Sequence, residues 1–253
     1  MSMSDFHQQS ELLGQWFKTP LGVAMLQAEE RLIMRRLEHC FGDRLLQMSI
    51  NDELDICAGN RLQHAFSLSP KQAPKRAQAS CNFEALALPE DSIDVVVLHH
   101  VLEFCADPHQ VLREVKRVLI PNGKLFVISI NPYSPLAARF SLTSLAGKKH
   151  FSRQSIGSHR LHDWLELLEM PTLGSQSGFH QLPINSEEFL NWQSRFASFA
   201  QKHSIPMGGV FMLEAVKLIH GMTAIKPKRM AWRPEMSGLR PTPMPAPSTK
   251  TLH

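Results

Sequence analysis

The chain has 253 residues, 43% hydrophobic and 20% charged, enough for one large core with an appended segment. No window supplies the roughly 18 to 20 uninterrupted apolar residues of a membrane span. The opening MSMSDFHQQSELLGQWF lacks the basic-then-apolar order of a signal peptide.

Cys40, Cys57, Cys81 and Cys105 are widely spaced and form no C-x-x-C pair. Reduced, mostly buried thiols in a cytoplasmic protein are therefore expected, not a disulfide framework or a metal knuckle. The net charge of +4 is unevenly placed. One basic patch is KQAPKR (71–76). Beyond Gly221, Lys226, Lys228, Arg229, Arg233, Arg240 and Lys250 stand against Glu235 alone. Such a tail can attract polyanions, although a solvated, irregular tail is the plainer expectation.

In chain order, the first patterned stretch is TPLGVAMLQAEERLIMRRLEHC (19–40). A proline in its first turn and Leu26, Leu32, Ile33 and Leu37 along one stripe predict a helix, with Gly42 as its stop. RLLQMSI (44–50) suits a buried strand. LQHAFSL (62–68) is a second, and a third is placed near 77–83. IDVVVLHH (93–100) is β-branched with no alternation after Asp94, as expected for a central strand covered on both faces. DPHQVLREVKRVL is a helix with Asp107 as cap, Pro108 in the first turn and Gln110 completing a capping box. IPNG (120–123) then turns the chain into the strand KLFVISI (124–130). Strand, helix and strand make a right-handed βαβ unit.

Beyond Asn131 the spacing predicts a loop with an apolar helical piece, a helix over 159–170 and a last strand over 209–219. Prolines at 227, 234, 241, 243, 245 and 247 rule out regular structure in the tail. The expected organisation is an N-terminal helical segment (1–42), one α/β domain (43–220) and a basic, proline-rich tail (221–253).

The block LALPEDSIDVVVLHHVLEFCADPHQVLREVKRVLIPNGKLFVISINP resembles the type 11 domain of class I S-adenosylmethionine-dependent methyltransferases. Leu88-Pro89, Asp91, Ser92, Asp94, Leu102-Glu103, Asp107-Pro108, Arg117-Val118-Leu119, Pro121 and Gly123 stand where that family's pattern places them. The resemblance implies a doubly wound, mostly parallel sheet of Rossmann-like type, with S-adenosyl-L-methionine as cofactor and methyl transfer as the activity.

LDICAGN (54–60) looks like such a family's cofactor loop, but only Arg61 would separate it from the next strand. A parallel crossover needs roughly ten to twelve residues. The first strand therefore belongs at 44–48, and LDICAGN falls in a short helix or its terminal turn, with Gly59 as the stop. By the resemblance the cofactor loop is QMSIND, with Gln47 in place of an acid and Ser49 and Asn51 in place of glycines. Ser is small and Asn tolerates left-handed backbone, so weaker binding is expected than from the glycine form. The second strand ends in SLSP with no ribose-binding carboxylate. Asn82 takes the place of the adenine-binding acid, with Phe83 beside it as a possible ring cover.

His99 and His100 end the central strand where open parallel sheets bind ligands. His99 is a candidate cofactor contact and His100 a candidate general base, against the plainer reading of buried, hydrogen-bonded histidines. No metal site is expected of them, because adjacent strand residues point to opposite faces. His159 and His162, one turn apart, lack a third ligand. Trp164, Trp192 and FLNWQSRFASFA fit core better than pocket. Glu103 and Asp107 fit a structural turn and a cap. No serine–histidine–aspartate motif, phosphate loop or zinc motif is present. Three functions remain: an enzyme with a small-molecule acceptor, a methyltransferase-fold binding or regulatory module, and, on the basic patches alone, an enzyme acting on nucleic acid.

Overall fold

A computed structural model describes residues 3–51, 53–70, 74, 76–145, 154–186 and 208–218. Two helices, α1 (Met3–Phe17) and α2 (Pro20–Leu37), precede the strands β1 (Arg44–Ser49), β2 (His64–Ser69), β3 (Ala79–Ser80) and β4 (Ile93–His99). There follow α3 (Pro108–Val118), β5 (Leu119–Ile130), α4 (Pro135–Leu145), α5 (Ser158–Leu167), β6 (Thr172–Gly178) and β7 (Val210–Val216).

The strands form one sheet in the order β3-β2-β1-β4-β5-β7-β6. β1 pairs in parallel with β2 and β4, β2 with β3, and β4 with β5. β7 pairs antiparallel with both β5 and β6, so it alone runs against the rest. The chain winds outward from β1 in one direction through β2 and β3, then returns to β4 on the other side. That reversal falls at the carboxyl ends of β1 and β4, the switch point at which doubly wound sheets take ligands.

The central strands form where the residues are β-branched or long and apolar. From Leu45 to Ser49 every β1 residue is buried, and in β4 only Asp94 is not fully so. Both helix starts obey their local signals. Thr19 Oγ1 accepts the Gly22 N–H at 3.2 Å, and Asp107 Oδ1 accepts the Gln110 N–H at 3.0 Å. The capping box is only half built, because the Gln110 carboxamide donates to Glu84 O and Glu84 Oε1 accepts the Asp107 N–H.

The structure departs from the sequence expectations at several elements. The expected IPNG turn is absorbed into β5, where Ile93 pairs with Leu119 but Val95 with Lys124. The extra residues bulge, and Asn122 takes φ 64 while its N–H bonds Lys217 O at 2.8 Å. LDICAGN forms a turn over 56–59, not a helix, with Gly59 at φ 83. α2 ends at Leu37, before Gly42. β6, polar and half exposed, has no apolar pattern and was not anticipated; antiparallel pairing to β7 holds it in the sheet.

α1 and α2 share the core with the sheet: Leu13, Phe17, Leu21, Met25, Leu32 and Ile33 join the buried cluster of β1, β4 and β5. They are therefore part of the α/β unit, not a separate segment. Cys40, Cys57 and Cys105 are buried free thiols and Cys81 is half-buried. No helix among the described residues is long and apolar enough to cross a membrane. The KQAPKR patch lies largely outside the described residues, and Trp192, FLNWQSRFASFA and the basic tail wholly so.

Candidate functional site

The carboxyl ends of β1 and β4 are register partners at Ser49 and His99. Ser49 Oγ lies 3.0 Å from His99 Nδ1 and also accepts the Asn51 N–H at 3.3 Å. Ile50 N–H donates to His99 O at 3.3 Å. Ser49, Asn51 and His99, placed together by the sequence reading, are thus joined in the fold, and all three are buried.

Neither Ser49 nor Asn51 has positive φ; among the described residues the non-glycines that do are Asp91, His100, Asn122, Glu169 and Phe179. The missing glycines therefore cost this loop no backbone strain. Asn51 Oδ1 caps the Glu53 N–H at 3.0 Å in a local Asx turn. Gln47, expected to face the cofactor, spends its side chain within the chain. Its Nε2 donates to Leu54 O at 2.7 Å and its Oε1 accepts the Ile56 N–H at 3.2 Å. It braces the crossover that includes LDICAGN.

Asn82 is exposed just after β3, two strands from β1, and its Oδ1 accepts the Glu84 N–H at 3.0 Å. Phe83 packs into the core. Of the six cofactor candidates, then, Ser49, Asn51 and His99 converge, Gln47 supports their loop, and Asn82 and Phe83 lie at the far side of the same edge.

His100 holds the largest departure from the sequence reading. β4 ends at His99, and His100 turns into left-handed backbone at φ 52. Strand alternation no longer applies, and both imidazoles swing to one side, their ring centroids 4.6 Å apart. Between them sits Glu29, from the inner face of α2 and fully buried. Its Oε2 is 3.1 Å from His99 Nε2 and its Oε1 is 2.8 Å from His100 Nε2. Glu103, in the turn after β4, completes the chain: Oε2 lies 2.8 Å from His100 Nδ1, and Oε1 accepts the Ile130 N–H at 2.5 Å. Glu103 is therefore structural, as expected, and it ties β4 to β5.

The Phe17 ring of α1 covers both imidazoles at 5.9 Å. α1 is seated by the Ser10 hydroxyl, which donates to Ile50 O at 2.6 Å. A Cβ on Gly14 would come within 2.7 Å of Asn51 Nδ2, so glycine allows this close approach.

Burial opposes charge throughout the cluster, and the partners decide which groups carry it. Burial disfavours the Glu29 carboxylate, but the His100 charge and both imidazole hydrogen bonds override it and hold its pKa well below the usual range. Burial likewise opposes a charged His100, yet Glu29 and Glu103 outweigh it and raise its pKa. His99 is lowered by burial and by its charged neighbour, against the pull of Glu29. The cluster thus holds an imidazolium at His100 between two carboxylates and a neutral imidazole at His99. With both ring nitrogens of His100 facing carboxylates, neither is free to take a proton from an acceptor. The geometry gives His100 a holding role, in line with the buried, hydrogen-bonded reading set beside its candidacy as a general base.

Nothing in the sequence reading singled out Glu29. The available signal was an acid on the apolar stripe of α2, four residues after Met25 and three before Leu32. Elsewhere, His162 Nδ1 meets Thr172 Oγ1 at 2.7 Å and its Nε2 lies 3.3 Å from Glu166 Oε1. Trp164 stacks on His109 at 4.1 Å and under Arg160, a packing role.

Residues 39–127, from the end of α2 to the middle of β5, match the family model described as a methyltransferase domain. The chain is 32% identical over 173 residues to the uncharacterized protein YafS of Escherichia coli K12, covering 67% of this chain and 70% of that one. A shorter match, 39% over 59 residues, is to the ubiquinone/menaquinone biosynthesis C-methyltransferase UbiE of Hahella chejuensis. That match spans 23% of this chain and about a quarter, 24%, of that relative.

Among solved structures, the fold resembles a methyltransferase of Thermotoga maritima described as a possible histamine N-methyltransferase. The TM-score is 0.63 at 13% identity, over 85% of this chain and 100% of that one. It also resembles the [4+2]-cyclase SpnF, with a TM-score of 0.53 at 18% identity over 75% and 80% of the two chains. At such identities these likenesses speak for the fold alone. Strand order, the matched segment and the curated relatives agree: the chain belongs to the type 11 methyltransferase domain family of class I S-adenosylmethionine-dependent methyltransferases.

Proposed function

We propose that the protein transfers the methyl group of S-adenosylmethionine to a small-molecule acceptor at the carboxyl ends of β1 and β4. The observation that carries this reading is the coincidence of the family match with the reversal of strand order. The matched segment runs from before β1 into β5 and so contains both strands of the switch point. The names of the relatives, a C-methyltransferase of quinone biosynthesis and a possible histamine N-methyltransferase, support an acceptor of small-molecule size.

In this reading the Ser49–Asn51 loop and the neighbourhood of His99 approach the methionine end of the donor, and Asn82 the adenine. The transfer is an in-line displacement at the sulfonium methyl, and alignment supplies most of what it needs. The lining that selects the acceptor is assigned to the stretches after β5 and after β6. Tyr133, in the first of these stretches, is exposed beside Gly157.

Calorimetric titration with S-adenosylmethionine and with S-adenosylhomocysteine tests the reading. Saturable binding of both is expected, weaker in Asn82→Ala. No heat and no thermal shift at millimolar ligand would sink it and leave the fold as a binding module.

A further inference from the structure

The cluster at the carboxyl edge has the composition and layout of a transition-metal site. Glu29, His99 and His100 are fully buried, and each offers a ligand atom within 4.8 Å of the others. We propose that Glu29, His99 and His100 bind one divalent first-row transition ion, Zn2+ foremost, which staples α2 to the ends of β1 and β4. The proposal does not rest on the methyltransferase reading.

The first support is the placement of the ring nitrogens. Metal-binding histidines present one nitrogen inward while the other is held by a carboxylate, carbonyl or hydroxyl. Both histidines do so here. His99 Nδ1 is held by Ser49 Oγ and His100 Nδ1 by Glu103 Oε2, while both Nε2 atoms face Glu29. The outer partners are fixed in turn: Ser49 by the Asn51 N–H and Glu103 by the Ile130 N–H.

The second support is the carboxylate. Glu29 turns its carboxylate to both rings, so an ion held among them meets two ring nitrogens and one carboxylate oxygen. Three protein donors make three corners of a tetrahedral site and leave the fourth to an exogenous ligand such as water. Imidazole with carboxylate suits Zn2+ and its neighbours in the series. Ligand bonds of about 2.0–2.2 Å in that geometry separate the donors by roughly 3.3–3.6 Å. The two N···O contacts of 2.8 and 3.1 Å reach that span by opening a few tenths of an ångström on one side chain.

The third support is electrostatic. Each Nε2···carboxylate contact needs positive charge between its two atoms, from an N–H proton or from a cation. One dication serves both contacts at once. With two neutral imidazoles and two ionised carboxylates it leaves the interior uncharged, where buried charge is otherwise costly.

The test uses the full chain, purified without a histidine tag and without chelator. Elemental analysis is expected to find about one equivalent of a transition metal per chain. After removal of metal and addition of Co2+, the visible d–d bands of a tetrahedral site should appear and be displaced by Zn2+. Glu29→Gln and His99→Asn should each lose the bands while keeping a helical circular-dichroism spectrum. The Co2+ spectrum of the unaltered chain decides the matter even if a variant fails to fold. Less than about a tenth of an equivalent after dialysis against Zn2+, with no d–d bands from Co2+, overturns the proposal. So does metal that both variants retain undiminished.

Discussion

Glu29 has more consequence than any other single residue, because it is a counter-charge of the buried His100 and also holds the His99 ring. Replacing one partner of a buried ion pair leaves the other uncompensated, at a cost of about 3–5 kcal/mol. Glu29→Gln keeps the volume and hydrogen-bonding capacity but removes the charge. In urea unfolding of the metal-free protein we expect a loss at the lower end of that range, larger than for Glu30→Gln at its half-buried neighbour.

The same cluster sets a pH profile for the metal-free chain. His100 is raised, so its contribution is complete below the unfolded value of 6.5 and is lost as pH climbs toward about 10. Glu29 is depressed, so its contribution is complete above 4.5 and is lost as pH falls toward about 2. His99 is lowered, which costs stability once the unfolded chain protonates it below 6.5. The cluster therefore gives maximal stability near pH 6.5, with a slope on the alkaline side of at most about 1.4 kcal/mol per pH unit. His100→Gln should abolish that alkaline slope; an unchanged profile would show that the pair does not carry it.

At the scale of elements, the junction of α1 with α2 is among the tightest places described. A Cβ on Gly22 would lie 2.2 Å from Trp16 O and 2.6 Å from Phe17 Cα, both backbone atoms that cannot swing aside. Gly22→Ala is expected to destabilise by about 1–3 kcal/mol by overpacking, lowering the urea midpoint. Gly174 in β6 has nothing within 4 Å of the corresponding Cβ. Gly174→Ala should be neutral or stabilising by up to about 1 kcal/mol through the unfolded chain. If both substitutions had equal effects, close packing of α1 on α2 would not be what fixes the helical pair over the cleft. Element signals in the sequence were legible where their cause is local. Thr19 and Asp107 cap their helices with their own side chains, and β4 declares itself by an unbroken β-branched run. β6 was not legible, because its residues carry no period and only the edge of β7 makes a strand of them.

For the whole molecule, ligand binding and folding are coupled through the carboxyl edge, since the loop after β1 lies between α1 and the sheet. S-adenosylhomocysteine at a hundred times its dissociation constant should stabilise the fold by about 2.7 kcal/mol. For a domain of this size that is roughly 5 to 10 °C in Tm by calorimetry. A shift absent at saturating ligand would mean that binding does not engage the folded edge.

The sequence by itself determined the parallel α/β layout, the place of β1 ahead of LDICAGN, the caps and the membership in the type 11 domain. The layout, the strand placement and the caps follow from hydrophobic period, turn chemistry and chain length, which act over a few consecutive residues. The membership follows from the resemblance of the 86–132 block to that family's motif. Only the tertiary structure decided the site. His100 leaves the strand at φ 52, and Glu29, seventy-one residues earlier, reaches it across the core of α2 and β4. No spacing encodes that meeting, because the packing of a helix on a sheet, and not the chain between them, determines which side chains share an interior charge.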